Sequence, residues 1–215
     1  MRQARYIVVE GPPGAGKTRL AELLAGRLGG RAVTDDELPG PGDETFWRPR
    51  PRDPFQAQMF FLIHRFQRLQ SLGQLDLFDA CVVGDCLFAR DRVYAGLNLD
   101  EAEFTLYDQI YRVLAERVTR PDLVIYLQTP GRVLVERIRR LKRSYARQMS
   151  GRYLEKVIEA YNDFFFHYRE TALLVISATS LHLDGGGDVD EILAQVQDFS
   201  GGVKYYVPLT QEALV

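Results

Sequence analysis

The run Gly11-Pro12-Pro13-Gly14-Ala15-Gly16-Lys17-Thr18 limits what this chain can fold into more than any other segment, because it follows a β-branched stretch at 6–10 and opens a helix-period stretch at 17–28. Glycines at these places let backbone N–H groups turn inward around phosphate oxygens, and a helix N-terminus adds partial positive charge. A lysine at the seventh position reaches β- and γ-phosphates, and the hydroxyl that follows can ligate Mg²⁺. A tight strand-to-helix turn alone would need neither group. Gly11, Gly14, Ala15, Gly16, Lys17 and Thr18 are therefore the expected nucleotide-binding residues, with ATP and Mg²⁺ as the expected cofactors.

A phosphate loop of this kind joins a strand of a parallel sheet to a covering helix, and the remaining pattern agrees. Short apolar runs at 6–10, 31–34, 80–84, 122–127 and 173–177 alternate with longer helix-period stretches, the order of an α/β fold with a parallel sheet between two helical layers. The expectation is a three-layer P-loop NTPase fold on five strands. Helices are expected over 17–28 and 55–72 and, behind a capping box of Asp100 and Glu103, from there to about 118. Thr129 and Pro130 read as the N-cap and first residue of another helix. One domain, 1–215, fits this length, with an Arg-bearing lid at about 142–150 and an extended tail at 201–215. A formal charge of −2 with scattered arginines argues against nucleic acid as a partner, and no apolar run approaches the ~18 residues that would cross a membrane. Cys81 and Cys86 suggest neither disulfide nor zinc site; a soluble protein of a reducing cytoplasm is expected.

A phosphate loop fixes the nucleotide and leaves the acceptor open. Gln58 and Arg65, seven residues apart, lie on nearly one helix face, where an amide and a guanidinium could address one ligand or form a solvated surface. Asp85 closes an apolar strand, so its carboxylate should emerge at the carboxyl edge of the sheet, facing Mg²⁺ or capping a helix. Arg137, Arg139, Arg140, Arg143 and Arg147 gather at a helix end and the loop beyond.

The stretch Asp53-Pro54-Phe55-Gln56-Ala57-Gln58-Met59-Phe60-Phe61 with Arg65 resembles the nucleobase-holding helix of the deoxynucleoside kinase family. The likeness continues through Val82-Val83-Gly84-Asp85, the run from Ala89 to Leu99, the strand after Pro121, Glu136-Arg137-Ile138, Tyr153-Leu154-Glu155-Lys156 and Tyr205-Tyr206-Val207-Pro208-Leu209. It implies a nucleoside substrate, Gln58 on the base assisted by Arg65 and Asp91, Arg140 on ATP, Arg143 closing over the transferring phosphoryl group, and a homodimer packed through long helices. It also marks departures. Where the family carries a Glu as base for the sugar 5′-hydroxyl, this chain reads Thr34-Asp35-Asp36-Glu37, so Asp35 or Asp36 is expected to take the proton. Cys86 stands where many members have Arg, Trp47 where a Tyr meets the sugar 3′-hydroxyl, and Ala146 where the lid has Glu.

Three readings follow: a nucleoside 5′-kinase; a nucleoside monophosphate kinase, with Arg65, Arg68 and Arg92 around the acceptor phosphate; and a nucleotide-binding regulatory protein without transfer. Trp lacks an acceptor and Ala any polar group, so both sugar-site departures weaken the grip on a 3′-hydroxyl. A 2′,3′-dideoxynucleoside is accordingly expected to keep kcat/KM within about tenfold of the deoxynucleoside; a loss of about a thousandfold, typical of a site built to bond a hydroxyl, would overturn this.

Overall fold

Ile7, Val8, Val9 and Glu10 are all buried in succession, which for a strand with alternating side chains requires cover on both faces. That places the first strand in the middle of the sheet. The computed structural model describes residues 6–34, 53–72, 81–140, 151–183 and 187–208. Its elements are β1 (Tyr6–Glu10), α1 (Lys17–Arg27), β2 (Arg31–Val33), α2 (Pro54–Leu72), β3 (Val82–Gly84), α3 (Arg90–Asn98) and α4 (Glu101–Ala115). They continue as β4 (Leu123–Gln128), α5 (Gly131–Arg140), α6 (Gly151–His167), β5 (Ala172–Ser177), α7 (Gly187–Gln197) and β6 (Val203–Tyr206).

The strands form one parallel sheet in the order β2-β3-β1-β4-β5-β6. Ile7 and Val9 of β1 meet Leu20 and Leu24 of α1, Leu134 and Ile138 of α5, and Val189 and Ile192 of α7. On the opposite face Val8, Val124, Tyr126 and Val175 pack under Val157, Tyr161 and Phe165 of α6. A third cluster, Leu62, Leu69, Val82, Phe88, Ala95 and Tyr107, joins α2, α3 and α4 beside β3. The three-layer expectation holds.

The expected five strands become six. Val203–Tyr206, anticipated only as part of a tail, pairs in parallel with β5 after Gly201 and Gly202 turn the chain at φ 123° and 78°. Leu173 N–H donates to the Gly202 carbonyl at 2.9 Å and begins the ladder. A β-branched and aromatic run behind a diglycine was a readable strand signal. The capping box is present: Glu103 N–H donates to Asp100 Oδ1 at 2.9 Å and Asp100 N–H to Glu103 Oε2 at 3.1 Å. The helix it opens stops at Ala115 rather than near 118. Thr129 does not cap; its hydroxyl turns back to the Leu127 carbonyl at 3.4 Å, and the helix starts at Gly131 with the Pro130 carbonyl accepting from Leu134 N–H. Among the described residues no helix is long and apolar enough to cross a membrane.

Parallel topology brings the carboxyl ends of β1, β3 and β4 to one edge of the sheet. The residues that follow those ends build the site.

Candidate active site

The phosphate loop takes its shape from two glycines whose conformations a side chain would resist, Gly14 at φ 83° and Gly16 at φ 98°. A Cβ on Gly14 would also lie 2.8 Å from Cγ1 of Ile138, so the loop is packed against α5 as well as curved. Gly16 caps α1, and Lys17 and Thr18 begin it. The lysine Nζ donates to the Pro12 carbonyl at 3.3 Å, arching over the loop.

Thr18 Oγ1 donates to Asp85 Oδ2 at 2.5 Å. Asp85 directly follows β3, while α3 begins only at Arg90 with Ala89 as its N-cap. Its carboxylate therefore does not cap that helix; it faces the hydroxyl of the phosphate loop. A hydroxyl and one carboxylate, both hard oxygen donors, suit Mg²⁺, which takes few protein ligands and completes its shell with water and phosphate oxygens. Among the described residues no group of three or more His, Cys, Asp or Glu side chains could hold a metal by itself.

Gln58, Arg65 and Asp91 are all buried, at 2%, 4% and 3% exposure. A solvated helix face is ruled out for the first two. Arg65 Nε donates to Asp91 Oδ2 at 2.6 Å, joining α2 to α3, and its NH1 contacts Cys86 Sγ. The thiol thus stands against a guanidinium supplied from another helix. Among the described residues no protein group hydrogen-bonds the Gln58 amide or Asp91 Oδ1.

Two further residues shape this edge, Glu10, which the sequence reading did not single out, and Arg137, whose place differs from its expected one. Glu10, fully buried at the end of β1, accepts from Gly11 N–H on Oε1 and from Leu87 N–H on Oε2, each at 2.9 Å, with the Tyr161 hydroxyl at 3.4 Å from Oε1. Burial pushes its carboxyl above the usual range, against the lowering pull of Arg90, Lys17 and the two N–H groups. Its signal was a lone acid closing an apolar strand. Arg137, grouped with the lid arginines, instead donates to the Ala178 and Thr179 carbonyls at 2.9 and 3.3 Å. This draws the segment after β5 toward the phosphate loop, where a Cβ on Gly16 would meet Leu183 Cδ1 at 3.4 Å.

Arg140 is exposed and paired with Glu136 at 2.5 Å. Asp35, Asp36, Trp47, Arg143 and Ala146 lie outside the described residues. Of the cations expected around an acceptor phosphate, Arg65 is held by Asp91 and Arg92 by Asp108, the latter at 2.5 Å.

The sequence pattern of the family described as deoxynucleoside kinase matches residues 7–200. Among relatives, the deoxyguanosine kinase of Bacillus subtilis (strain 168) is 29% identical over 162 residues, 75% of this chain and 78% of its own. The deoxyadenosine kinase of Dictyostelium discoideum is 28% identical over 165 residues, 75% and 67%. A solved structure of deoxyadenosine kinase from M. mycoides with bound dATP superposes with a TM-score of 0.77 over 89% of this chain and 98% of that one, at 21% identity.

Glu10→Gln tests the buried clasp. Whichever way the amide turns, its NH₂ faces a backbone N–H, so the substitution is expected to cost about 1–3 kcal/mol in urea unfolding and to raise KM for ATP. Unchanged stability with unchanged KM would refute the role.

Proposed function

Because this chain belongs to the deoxynucleoside kinase family, we propose that it transfers the γ-phosphoryl group of ATP to the 5′-hydroxyl of a deoxynucleoside, using the residues assembled at the carboxyl edge of its sheet. One observation carries the acceptor reading. On α2, the buried Gln58 amide has no protein partner among the described residues and shares a helix face with Arg65, itself fixed by Asp91. An amide offers a donor and an acceptor side by side, the complement of a base edge.

In this reading the loop N–H groups and Lys17 hold the phosphates, and the glycines Gly11, Gly14 and Gly16 with Ala15 let the backbone approach them. Mg²⁺, held by Thr18 and Asp85 together with phosphate oxygens, would neutralise charge on the β- and γ-phosphates. Gln58 and Asp91 orient the base, and Arg65 holds Asp91 in place. Trp47 borders the sugar. Asp35 or Asp36 accepts the 5′-hydroxyl proton as its oxygen attacks the γ-phosphorus, and ADP departs with the bridging electrons. Arg143 closes over the developing equatorial charge, and Arg140 lies toward ATP once it leaves Glu136. A monophosphate acceptor fits less well, since Arg65 and Arg92 already serve Asp91 and Asp108. The whole of 1–215 acts as one kinase domain, in the cytoplasm.

The reading is tested by ADP formation from Mg·ATP with the four common deoxynucleosides, their ribonucleosides and their monophosphates. Turnover is expected on a deoxynucleoside and at least about a hundredfold less with Lys17→Ala. Turnover confined to monophosphates, or ATP binding with no turnover, would reject it.

We also propose a homodimer. Ile63 of α2 and Leu106 and Val113 of α4 are large exposed apolar residues, the last two seven positions apart on one helix face. A second copy would cover them by an isologous contact. Sedimentation is expected to give twice the 24.6 kDa chain mass and, for Leu106→Glu, the single mass. A wild-type chain that sediments as a monomer refutes it.

A further inference from the structure

Tyr107 of α4 is completely buried, at 0% exposure, and its hydroxyl has no hydrogen-bond partner among the described residues. A buried hydroxyl without a hydrogen bond has lost its water and gained nothing for it, whereas a phenylalanine of the same shape would bear no such cost. Apolar packing therefore does not account for a tyrosine here. Its ring packs with Leu62 and Ala95. Leu62 stands three residues before Arg65 on α2, and Ala95 four residues after Asp91 on α3, so the ring sits between the two helix turns that carry the Arg65–Asp91 pair. The electrostatics agree: after burial itself, the charge of Asp91 does most to push the phenol's pKa up, and Arg65 pulls it down. Asp91 has its second oxygen unclaimed among the described residues.

We infer that Tyr107 is a positioning residue for nucleobase recognition, its hydroxyl acting on the base through Asp91 and Arg65. A base that draws on Asp91 loosens its hold on Arg65, and the phenol, buried in the cluster that flanks this pair, has a hydroxyl free to donate once the carboxylate is shared. Selectivity would then depend on a group that touches no part of the sugar or phosphates. The inference rests on the nucleoside kinase reading.

Tyr107→Phe removes one oxygen and leaves the packing. The expected result is a rise in Tm of about 2–4 °C, as an orphan hydroxyl is lost. Along with it, KM for the preferred deoxynucleoside should rise about tenfold, the size of a hydrogen bond to a charged group. KM for ATP and kcat at saturating nucleoside should stay within about twofold. Asp91→Asn, measured in parallel, should already lack the effect, so that adding Tyr107→Phe to it changes nucleoside KM by less than about twofold. A rise in Tm with nucleoside KM unchanged overturns the inference, as does an equal loss for both substrates. If the wild type phosphorylates no nucleoside, the kinase reading itself has failed and this inference with it; wild-type turnover with a nucleoside KM that Tyr107→Phe leaves unchanged defeats the inference alone.

Discussion

The site depends on the Glu10 carboxylate. It is one of few charged side chains buried among the described residues, and its two oxygens bind backbone N–H groups from different parts of the chain, Gly11 in the phosphate loop and Leu87 beyond β3. A buried carboxyl is costly to desolvate and tolerable only when its lone pairs are used. Here that use is structural: one side chain holds the phosphate loop and the β3–α3 connection at a fixed spacing. Asp85 and Cys86 sit inside that connection, and Asp91 is on the first turn of the helix it feeds. Thr18 meets Asp85 across the two segments that this carboxylate ties together.

From this anchor the acceptor side follows by a second buried pair. Arg65 and Asp91 link α2 to α3 with both side chains 5% exposed, so breaking either partner would strand a charge in the interior. The departure at Cys86 is intelligible here. The thiol is small enough to stand against the Arg65 guanidinium, where a second long cation would have to compete with it for space and for Asp91.

What the sequence disclosed and what it hid divide along physical lines. Gly11 to Thr18 was legible because its chemistry demands a fixed spacing, and Asp100 with Glu103 because a capping box is local. Gln58 and Arg65 were legible as a pair through helical periodicity, but whether they faced solvent or the interior depends on what packs over α2, and that is tertiary. Asp85 left two roles open until its distance to Thr18 decided between them. Glu10 and Arg137 were hidden because their partners, Leu87 and Ala178, are distant in sequence and are backbone groups, which leave no trace in residue identity. β6 was missed for a different reason: its alternating exposure, with Val203 and Tyr205 outward, lacks the continuous apolar run of the inner strands, as an edge strand should.

The strand order has a consequence for the making of the chain. β1, the first of the described strands in chain order, pairs with Val82–Gly84 on one side and with Leu123–Tyr126 on the other. More than half of the chain must exist before that apolar ribbon has both neighbours, and parallel pairing over such separations forms slowly because loop closure precedes any gain. On the ribosome, therefore, the phosphate loop's own strand waits longer for its second neighbour than any other described strand, an apolar ribbon exposed while the chain is still being made.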